Sequence, residues 1–308
     1  MTGRVLVTGA SGFLGRHCVS RLVQDGFDVH AVARTPAEGV ADCRWHAANL
    51  LDTGAVRDLV ARVAPTHVLH LAWIATPGVF WTSPQNLDWL AAGTVLAQAF
   101  GAAGGKRFVG VGSCAEYDWS CGLCRESATP LHPATPYGAA KVAMSAALDA
   151  AAALYGFERA WVRLFFPYGP DEPDGKLIPG VIDALLAGRP AEVSHGRQIR
   201  DFVYVDDAAD ALAALVRGTA TGAFNLASGD PVRLRDVVGT VAAQLGGEHL
   251  VRYGHRQPQK GEPTLLCADI SRLCEATGWR PTVTLPDGIA RTIDHRRRRA
   301  RPTPAAAP

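Results

Sequence analysis

The sequence lacks a surplus of charge, because its net charge is only +2 over 308 residues. This balance argues against a large electrostatic footprint for nucleic acid, and we expect no such partner. The sequence also lacks an apolar run of membrane-spanning length, since the longest, at 142–156, contains Asp149. No signal peptide is visible, because the strand-like segment 4–7 runs directly into a glycine-rich turn. We therefore expect a cytoplasmic protein with no membrane partner.

A disulfide framework is also missing. The seven cysteines are an odd number and show no small-domain spacing, so reduced thiols in a cytoplasm are the simplest interpretation. The CxxC at 121–124 has no second pair of ligands nearby and lies in a predicted loop. We therefore expect neither a zinc site nor a redox motif there, and the sequence predicts no metal.

What the sequence does contain is an alternation of strand and helix patterns. Short apolar runs predict buried strands, and stretches with apolar residues at helical spacing lie between them. The predicted strands are 5–7, 28–34, 66–73, 107–113 and 159–166, and the helices between them include 55–63, 90–103 and one that begins near Tyr137. This alternation predicts an α/β fold with a parallel sheet covered by helices on both faces.

The first strand leads into a glycine turn with the spacing GxxGxxG. Gly9 permits a tight turn, Gly12 lets the backbone approach a diphosphate, and Gly15 lets the helix pack close to the strand. A diphosphate would then lie at a helix N-terminus, where free N–H groups and the dipole favour negative charge. The predicted cofactor-binding residues of this turn are Gly9, Ser11, Gly12, Phe13, Leu14 and Gly15.

The tip of the second strand sets the nucleotide preference. An acidic residue there would bind the adenosine ribose and favour NAD, whereas this predicted strand ends in Arg34. An arginine at this place can pair with a 2′-phosphate, and Arg16 could assist. We therefore expect NADP, with NAD as the alternative.

The strand and helix pattern loosens after residue 169, where Pro and Gly recur. We expect residues 1–169 to form a dinucleotide-binding domain, with 201–228 returning to it. Residues 170–294 are expected to form mainly a smaller α/β lobe that binds substrate. The basic, Pro- and Ala-rich stretch 295–308 is predicted to be a disordered tail.

Six motifs occur in order: "TGASGFLG" (8–15), "HLA" (70–72), "GSCAEY" (112–117), "YGAAK" (137–141), "YGP" (168–170) and "RDFVYVDDAADAL" (200–212). Together they resemble the extended short-chain dehydrogenase/reductase family of NAD(P)-dependent nucleotide-sugar epimerases, dehydratases and ketoreductases. The resemblance covers about residues 4–294. It implies a Rossmann-type doubly wound sheet, a C-terminal lobe that grips a nucleoside diphosphate sugar, and a homodimer formed through two helices of each subunit.

The resemblance also implies three catalytic residues. The family's YxxxK falls on Tyr137 and Lys141, and its serine, four residues before Tyr117, falls on Ser113. Positions i and i+4 share one helix face, so a lysine ammonium there should lower the pKa of the tyrosine from about 10. Such a tyrosine can transfer a proton at a sugar oxygen, while Ser113 hydrogen-bonds the same oxygen and Lys141 also holds the nicotinamide ribose.

Further cofactor contacts follow by position. Asn49 and Leu50 match the family's acidic-Leu pair that meets the adenine, with Asn in place of Asp. Leu71, Ala72 and Trp73 are implied to lie beside the cofactor at the end of the fourth strand. Trp73 replaces a residue that is usually small in this family.

The implied substrate contacts depart from the family pattern. Phe166 stands where the family commonly has an Asn that touches the sugar diphosphate. Arg200 matches the arginine that pairs with the diphosphate. A later family arginine is replaced by Gln259, and Arg256 or Lys260 could substitute for it.

Several reactions are compatible with these residues. A 4,6-dehydratase carries an Asp-Glu pair directly after its catalytic Thr, whereas Cys114 and Ala115 follow Ser113 and Glu116 is one place late. Arg34 favours NADPH and therefore reduction of a nucleoside diphosphate 4-keto-6-deoxy sugar, with Tyr137 as proton donor. A 4-epimerase with tightly bound NAD is the alternative. A non-catalytic NADP-binding redox sensor is a weaker one, since such proteins typically lose the Tyr or Lys.

Overall fold

The computed structural model describes residues 3–35, 42–258 and 261–300. Within them the strands are β1 (Arg4–Thr8), β2 (Asp28–Ala33), β3 (Arg44–Ala47), β4 (His67–His70), β5 (Arg107–Ser113), β6 (Leu123–Cys124), β7 (Glu158–Leu164), β8 (Phe166–Tyr168), β9 (Ala191–Val193), β10 (Ile199–Arg200), β11 (Phe202–Tyr204), β12 (Gly222–Leu226), β13 (Val232–Arg233), β14 (Val251–Tyr253) and β15 (Leu265–Ala268). The helices are α1 (Phe13–Gln24), α2 (Thr53–Val63), α3 (Gln85–Ala102), α4 (Pro136–Tyr155), α5 (Leu177–Leu186), α6 (Val205–Arg217), α7 (Leu234–Leu245), α8 (Ser271–Thr277) and α9 (Leu285–Ala300).

Seven strands form one central sheet in the order β12-β7-β5-β4-β1-β2-β3. Every neighbouring pair is parallel. The strand order reverses between β1 and β4, and ligands of such open sheets bind beyond the carboxyl ends of the strands at this switch point. The predicted Rossmann-type doubly wound parallel sheet is therefore confirmed.

Helices cover both faces of this sheet because its strands are apolar on both sides. α1 and α6 cover one face, and Leu22 and Leu212 are fully buried in the same core. α2, α3 and α4 cover the other face, where Leu59, Leu96 and Met144 are buried. Among the residues that the structure describes, no helix combines the length and apolar character that a membrane span requires.

A smaller unit follows the central sheet along the chain. α5, α7 and α9 pack around Ile182, Val241 and Ile289. A four-stranded sheet in the order β13-β10-β15-β6 lies beside it, together with the pairs β8–β11 and β9–β14. The segment between these elements includes α6, which packs on α1, and β12, which pairs with β7 in the central sheet.

Several boundaries differ from those that the sequence patterns predict. β2 ends at Ala33 and β4 at His70, so Arg34 and residues 71–73 lie in the loops that follow. The prediction of a disordered tail from residue 295 is wrong for 295–300, which belong to α9. Arg296 anchors this part of α9 by donating to Asp174 Oδ1 at 2.9 Å, with Asp183 as a second partner. Residues 301–308 lie outside the described part of the chain.

Candidate active site

The glycine turn lies at the carboxyl end of β1 and opens α1. Gly9 has a φ of +69°, and a Cβ there would lie 2.8 Å from the Ala72 nitrogen. A Cβ on Gly15 would lie 2.1 Å from the Gly9 carbonyl oxygen, so only glycine lets the helix start this close to the turn. Gly12 is the exposed N-cap of α1, and the first helical turn carries no acidic residue. This end of α1 fits a phosphate group.

The predicted contacts for the adenosine end lie at the tips of neighbouring strands. Arg34 is exposed directly after β2, whose last residue is the uncharged Ala33. Asn49 is exposed, and its side-chain oxygen accepts from the Leu51 nitrogen at 3.2 Å, while Leu50 is buried. The Nε of Arg16 donates to the Ser11 carbonyl oxygen at 3.0 Å and so braces the glycine turn.

Two close contacts bring Ser113 and Tyr137 together. Ser113 ends β5 and caps the short turn 114–116, where its hydroxyl accepts from the Ala115 nitrogen at 3.2 Å. The N-terminus of α4 lies directly against this turn, because a Cβ on Gly138 would be 2.2 Å from the Ala115 carbonyl oxygen. Thr135 caps α4 by accepting from the Gly138 nitrogen at 3.1 Å. The first turn of α4 therefore holds Tyr137 beside Ser113.

The ionisation of the Tyr–Lys pair differs from the sequence-based prediction. Burial raises the pKa of Tyr137, opposed by the hydrogen-bonding Ser113 side chain, so the predicted fall is wrong for the protein alone. The reason is the position of Lys141, whose Nζ donates to the Val111 carbonyl oxygen at 2.7 Å and lies 6.0 Å from the Tyr137 ring centroid. Lys141 is itself buried, which lowers its pKa to about 7.

Trp73 covers the ammonium of Lys141 at 3.9 Å from ring centroid to Nζ, a cation–π contact. Its indole Nε1 donates to Asn86 Oδ1 at 2.8 Å, and Asn86 Nδ2 donates to the Phe80 and Ser83 carbonyl oxygens. Trp73 thus links the lysine to the loop at 74–84. Leu71 and Ala72 precede it, and the Ala72 nitrogen donates to Thr8 Oγ1 at 3.3 Å, next to the glycine turn.

An aromatic wall, made of Phe80, Trp81 and Trp119, lies against Tyr137. The rings of Phe80 and Trp81 meet the Tyr137 ring edge-on, with centroids 4.9 Å and 5.7 Å away. Trp119 packs edge-on against Trp81 at 5.9 Å. The Tyr137 nitrogen also donates to the Trp81 carbonyl oxygen at 3.2 Å. The sequence shows these aromatics, but their meeting at Tyr137 depends on contacts between distant segments.

Glu116 is a buried residue of the site to which the sequence patterns give no role. Its side chain is fully buried and accepts from the Ser113 nitrogen at 2.8 Å. It also forms an ion pair with Arg163 on β7, with Nε to Oε2 at 2.8 Å. The sequence signal for a role of Glu116 is that it is the charged residue of "GSCAEY" (112–117), the motif at the end of β5.

Phe166 and Arg200 lie together on the side of the smaller unit. The Arg200 guanidinium carbon is 5.7 Å from the Phe166 ring centroid. Arg200 is buried, and its NH2 donates to Glu262 Oε1 at 2.8 Å. This ion pair neutralises part of the charge of Arg200, the residue that the resemblance implies would meet a diphosphate. Arg256 is exposed, whereas Gln259 and Lys260 lie outside the described residues.

Metal-binding side chains do not gather at this site or elsewhere in the described residues: no group of three or more His, Cys, Asp or Glu could hold an ion. All seven cysteines are free thiols. In the CxxC, Cys121 is exposed and Cys124 is buried.

The sheet is open and parallel, with a glycine turn at its switch point, Ser113 at the end of β5, and Tyr137 and Lys141 on α4. Together these features define a dinucleotide-dependent short-chain dehydrogenase/reductase. Comparison with known proteins agrees with this class, because the profile of the NAD dependent epimerase/dehydratase family matches residues 5–227. The chain belongs to this family, and its homologues are enzymes acting on nucleotide sugars.

Three relatives show the range of the family. A UDP-glucose 4-epimerase from Mycolicibacterium smegmatis is 31% identical over 311 residues, which cover 94% of this chain and 97% of the relative. The structure of MoeE5 in complex with UDP-glucuronic acid and NAD has a TM-score of 0.85 and 31% identity, covering 96% of this chain and 100% of its own. TunA, an NAD-dependent NDP-hexosamine 5,6-dehydratase from tunicamycin biosynthesis, has a TM-score of 0.83 and 27% identity, covering 96% of this chain and 98% of its own.

Proposed function

We propose that this enzyme reduces the ketone of a nucleoside diphosphate 4-keto-6-deoxy sugar, with NADPH as the reductant. The observation that carries the proposal is the enclosure of Tyr137. Its partly buried ring packs against Phe80 and Trp81 of the aromatic wall, and the Ser113 side chain at the carboxyl end of β5 is its hydrogen-bond partner. Hydride addition to a ketone carbon and proton addition to its oxygen together give a secondary alcohol.

The residues present fit a nicotinamide dinucleotide. The glycine turn would hold its diphosphate, Leu50 and Asn49 would meet the adenine, and Lys141 would hold the nicotinamide ribose. When bound there, the reduced cofactor supplies the hydride. Ala33 brings no carboxylate to the end of β2 and Arg34 is exposed beside it, which favours a 2′-phosphate and therefore NADPH.

The protein's own part in the reaction is proton transfer and charge stabilisation. Burial keeps Tyr137 protonated, because it raises the pKa of the phenol. A protonated phenol is the form that a proton donor needs. Ser113 would hydrogen-bond the ketone oxygen and stabilise the charge that develops on it.

The aromatic wall favours reduction over epimerisation. An epimerase must let its keto intermediate turn over, so that hydride returns to the opposite face of the same carbon. Here the wall is held by Asn86 through the Phe80 and Ser83 carbonyl oxygens, and by the bond from the Tyr137 nitrogen to Trp81. A fixed apolar wall restricts such turning and suits the apolar edge of a deoxy sugar.

The second candidate function is a nucleotide-sugar 4-epimerase with tightly bound NAD. The similarity to UDP-glucose 4-epimerases favours it. Ser113, Tyr137 and Lys141 would suffice for it, and Glu116 is too deeply buried to serve as a dehydratase acid. A non-catalytic redox sensor is the weakest candidate, since the Ser-Tyr-Lys set is present.

An NADPH oxidation assay with a panel of nucleoside diphosphate 4-keto sugars tests the proposal. The panel pairs sugars with and without a 6-hydroxyl group, and Tyr137→Phe is the matched control. We expect loss of NADPH with the 6-deoxy substrates and little with the control variant. A 4-hydroxy nucleotide sugar is incubated in parallel without NADPH. Its conversion to the 4-epimer by a tightly held NAD, with no NADPH used on the keto sugars, would establish epimerisation instead.

The assembly and location of the enzyme are part of the same proposal. The alanine-rich helices α3 and α4 pack against each other, and exposed Leu87 and Leu154 lie on them. We therefore expect a homodimer through these helices, testable by light scattering. We also propose that the enzyme works in the cytoplasm, where its free thiols would remain reduced.

A further inference from the structure

We propose that Glu116 is a positioning residue whose carboxylate fixes the backbone presenting Ser113 and supplies a negative charge at the strand end to which Lys141 also binds. The inference rests on the proposed roles of those three residues. Glu116 does not touch substrate, because its side chain has no solvent exposure. Its effect must therefore pass through the groups that it contacts.

The carboxylate of Glu116 is fully occupied by hydrogen bonds. Oε1 accepts from the Ser113 nitrogen at 2.8 Å, and Trp161 Nε1 donates to both oxygens at 3.0 Å. Oε2 accepts from Arg163 Nε at 2.8 Å. These bonds hold the end of β5 in one position, and the Ser113 hydroxyl with it.

The surrounding residues are arranged to admit this carboxylate. Gly112 precedes Ser113, and a Cβ there would lie 2.0 Å from Glu116 Oε1, so any larger residue would displace the acid. Arg163 NH1 also donates to the Tyr117 hydroxyl at 3.0 Å, and that hydroxyl donates to Asn225 Oδ1 at 2.7 Å. The network therefore continues from Ser113 into the core.

Stability alone does not explain such a network. Replacing a buried ion pair by apolar side chains of similar volume is often neutral or stabilising, because two ions must be desolvated. The Glu116–Arg163 ion pair is hydrogen-bonded to the backbone of Ser113, so its effect on the reactive groups explains it better. The electrostatic consequences at Lys141 and Tyr137 support this explanation.

Glu116 and Lys141 bind the end of β5 two residues apart: Glu116 accepts from the Ser113 nitrogen at 2.8 Å, and Lys141 donates to the Val111 carbonyl oxygen at 2.7 Å. The negative charge of Glu116 therefore acts on both members of the proton-transfer pair. It raises the pKa of Lys141, against the larger lowering by burial, and so keeps more of the lysine charged. It also adds to the raised pKa of Tyr137.

Burial raises the pKa of Glu116 itself, and Arg163 on β7 opposes this rise and favours the carboxylate. Other titratable or charged groups that face this region include His70 on β4, Cys114 in the turn after β5, Tyr117 and Arg200.

The test is an NMR titration of Lys141 in protein with carbon-labelled lysine, with the resonance assigned by a Lys141→Met variant. Glu116→Gln keeps the size and an acceptor for the Ser113 nitrogen but removes the charge. We expect Lys141 to lose its proton about one pH unit lower in this variant, equivalent to about a tenfold change in its proton affinity. Glu126→Gln, which removes a half-buried acid nearby, is the matched control and should leave the titration unchanged.

The kinetic arm measures kcat and KM across pH. We expect Glu116→Gln to lower kcat about tenfold, with KM nearly unchanged and the Lys141-dependent limb of the kcat–pH profile moved to lower pH. The double variant Glu116→Gln with Arg163→Met removes both buried charges, so it should fold. Its Lys141 should lose its proton at the same lowered pH as in Glu116→Gln. An unchanged titration in both variants would overturn the proposal. The titration does not require turnover, so an inactive wild type would count against the proposed function alone.

Discussion

Replacing Lys141 by Met should make the protein more stable while removing its activity. Lys141 is almost fully buried, with an exposed fraction of 4%, and its pKa is lowered from 10.5 to about 7, chiefly by burial. Each pKa unit corresponds to about 1.4 kcal/mol, so the buried ammonium costs the folded state about 5 kcal/mol at low pH. Met has a similar length and no charge. It forfeits the bond to the Val111 oxygen, about 1–2 kcal/mol, which leaves a net gain of about 3 kcal/mol.

The sign of the pH dependence follows from the proton count. Between pH 7 and 10.5 the unfolded chain holds a proton on this lysine that the folded protein has lost, so wild-type stability rises with pH there. The advantage of Lys141→Met should therefore be full below pH 7 and shrink as the pH approaches 10.5.

Urea unfolding of nucleotide-free protein at several pH values measures this difference. Lys106→Met, at an exposed lysine, is the matched control and should change stability little at any pH. A Lys141→Met variant that is less stable than wild type below pH 7, or an advantage that does not depend on pH, would show that the buried ammonium does not destabilise the folded protein.

Three further predictions concern the cofactor and the proton donor. Tyr137→Phe should lower kcat by about 10²–10⁴-fold and leave NADPH affinity unchanged, because only the hydroxyl is lost. Steady-state kinetics and fluorescence titration would measure these two effects, and equal activity would exclude Tyr137 as the donor. Arg34→Ala should raise the KM for NADPH about tenfold or more and leave that for NADH unchanged, because the 2′-phosphate loses its partner; Arg57→Ala, at an exposed arginine on α2, is the control. Gly15→Ala should abolish NADPH binding in calorimetry, because its Cβ would lie 2.1 Å from the Gly9 carbonyl oxygen; normal binding would contradict the close packing of this turn.

Local sequence patterns were sufficient to predict many of the strands and helices. β5 runs from Arg107 to Ser113, as its apolar pattern predicts. α4 begins at Pro136, one residue before the predicted Tyr137 start. These elements carry their own signals: a continuous apolar run in one case, and an N-cap followed by proline in the other. The glycine turn was recognisable for the same reason, since each glycine answers a local steric need.

The parts that the sequence did not predict depend on contacts between distant residues. The pKa direction of Tyr137 is set by burial and by the place of Lys141 on the Val111 carbonyl oxygen, neither of which follows from i, i+4 spacing. Glu116 and Arg163 are 47 residues apart, and their ion pair forms only when β5 and β7 become neighbours.

The end of α9 is a similar case. Its basic composition predicts disorder because like charges repel, yet the helix continues through residue 300. Arg296 is 122 residues from Asp174 and 113 from Asp183 in the chain. Tertiary ion pairs of this kind override local composition and are invisible to a short sequence window.

The most direct test of ketone reduction follows a deuterium label from the nicotinamide C4 of NADPH into the sugar. If the enzyme reduces a nucleoside diphosphate 4-keto-6-deoxy sugar, mass spectrometry and NMR should find one deuterium at sugar C4 for each NADPH consumed. A keto sugar that gains no deuterium and consumes no NADPH, together with inversion at C4 of a 4-hydroxy nucleotide sugar incubated without NADPH, would contradict reduction and establish epimerisation.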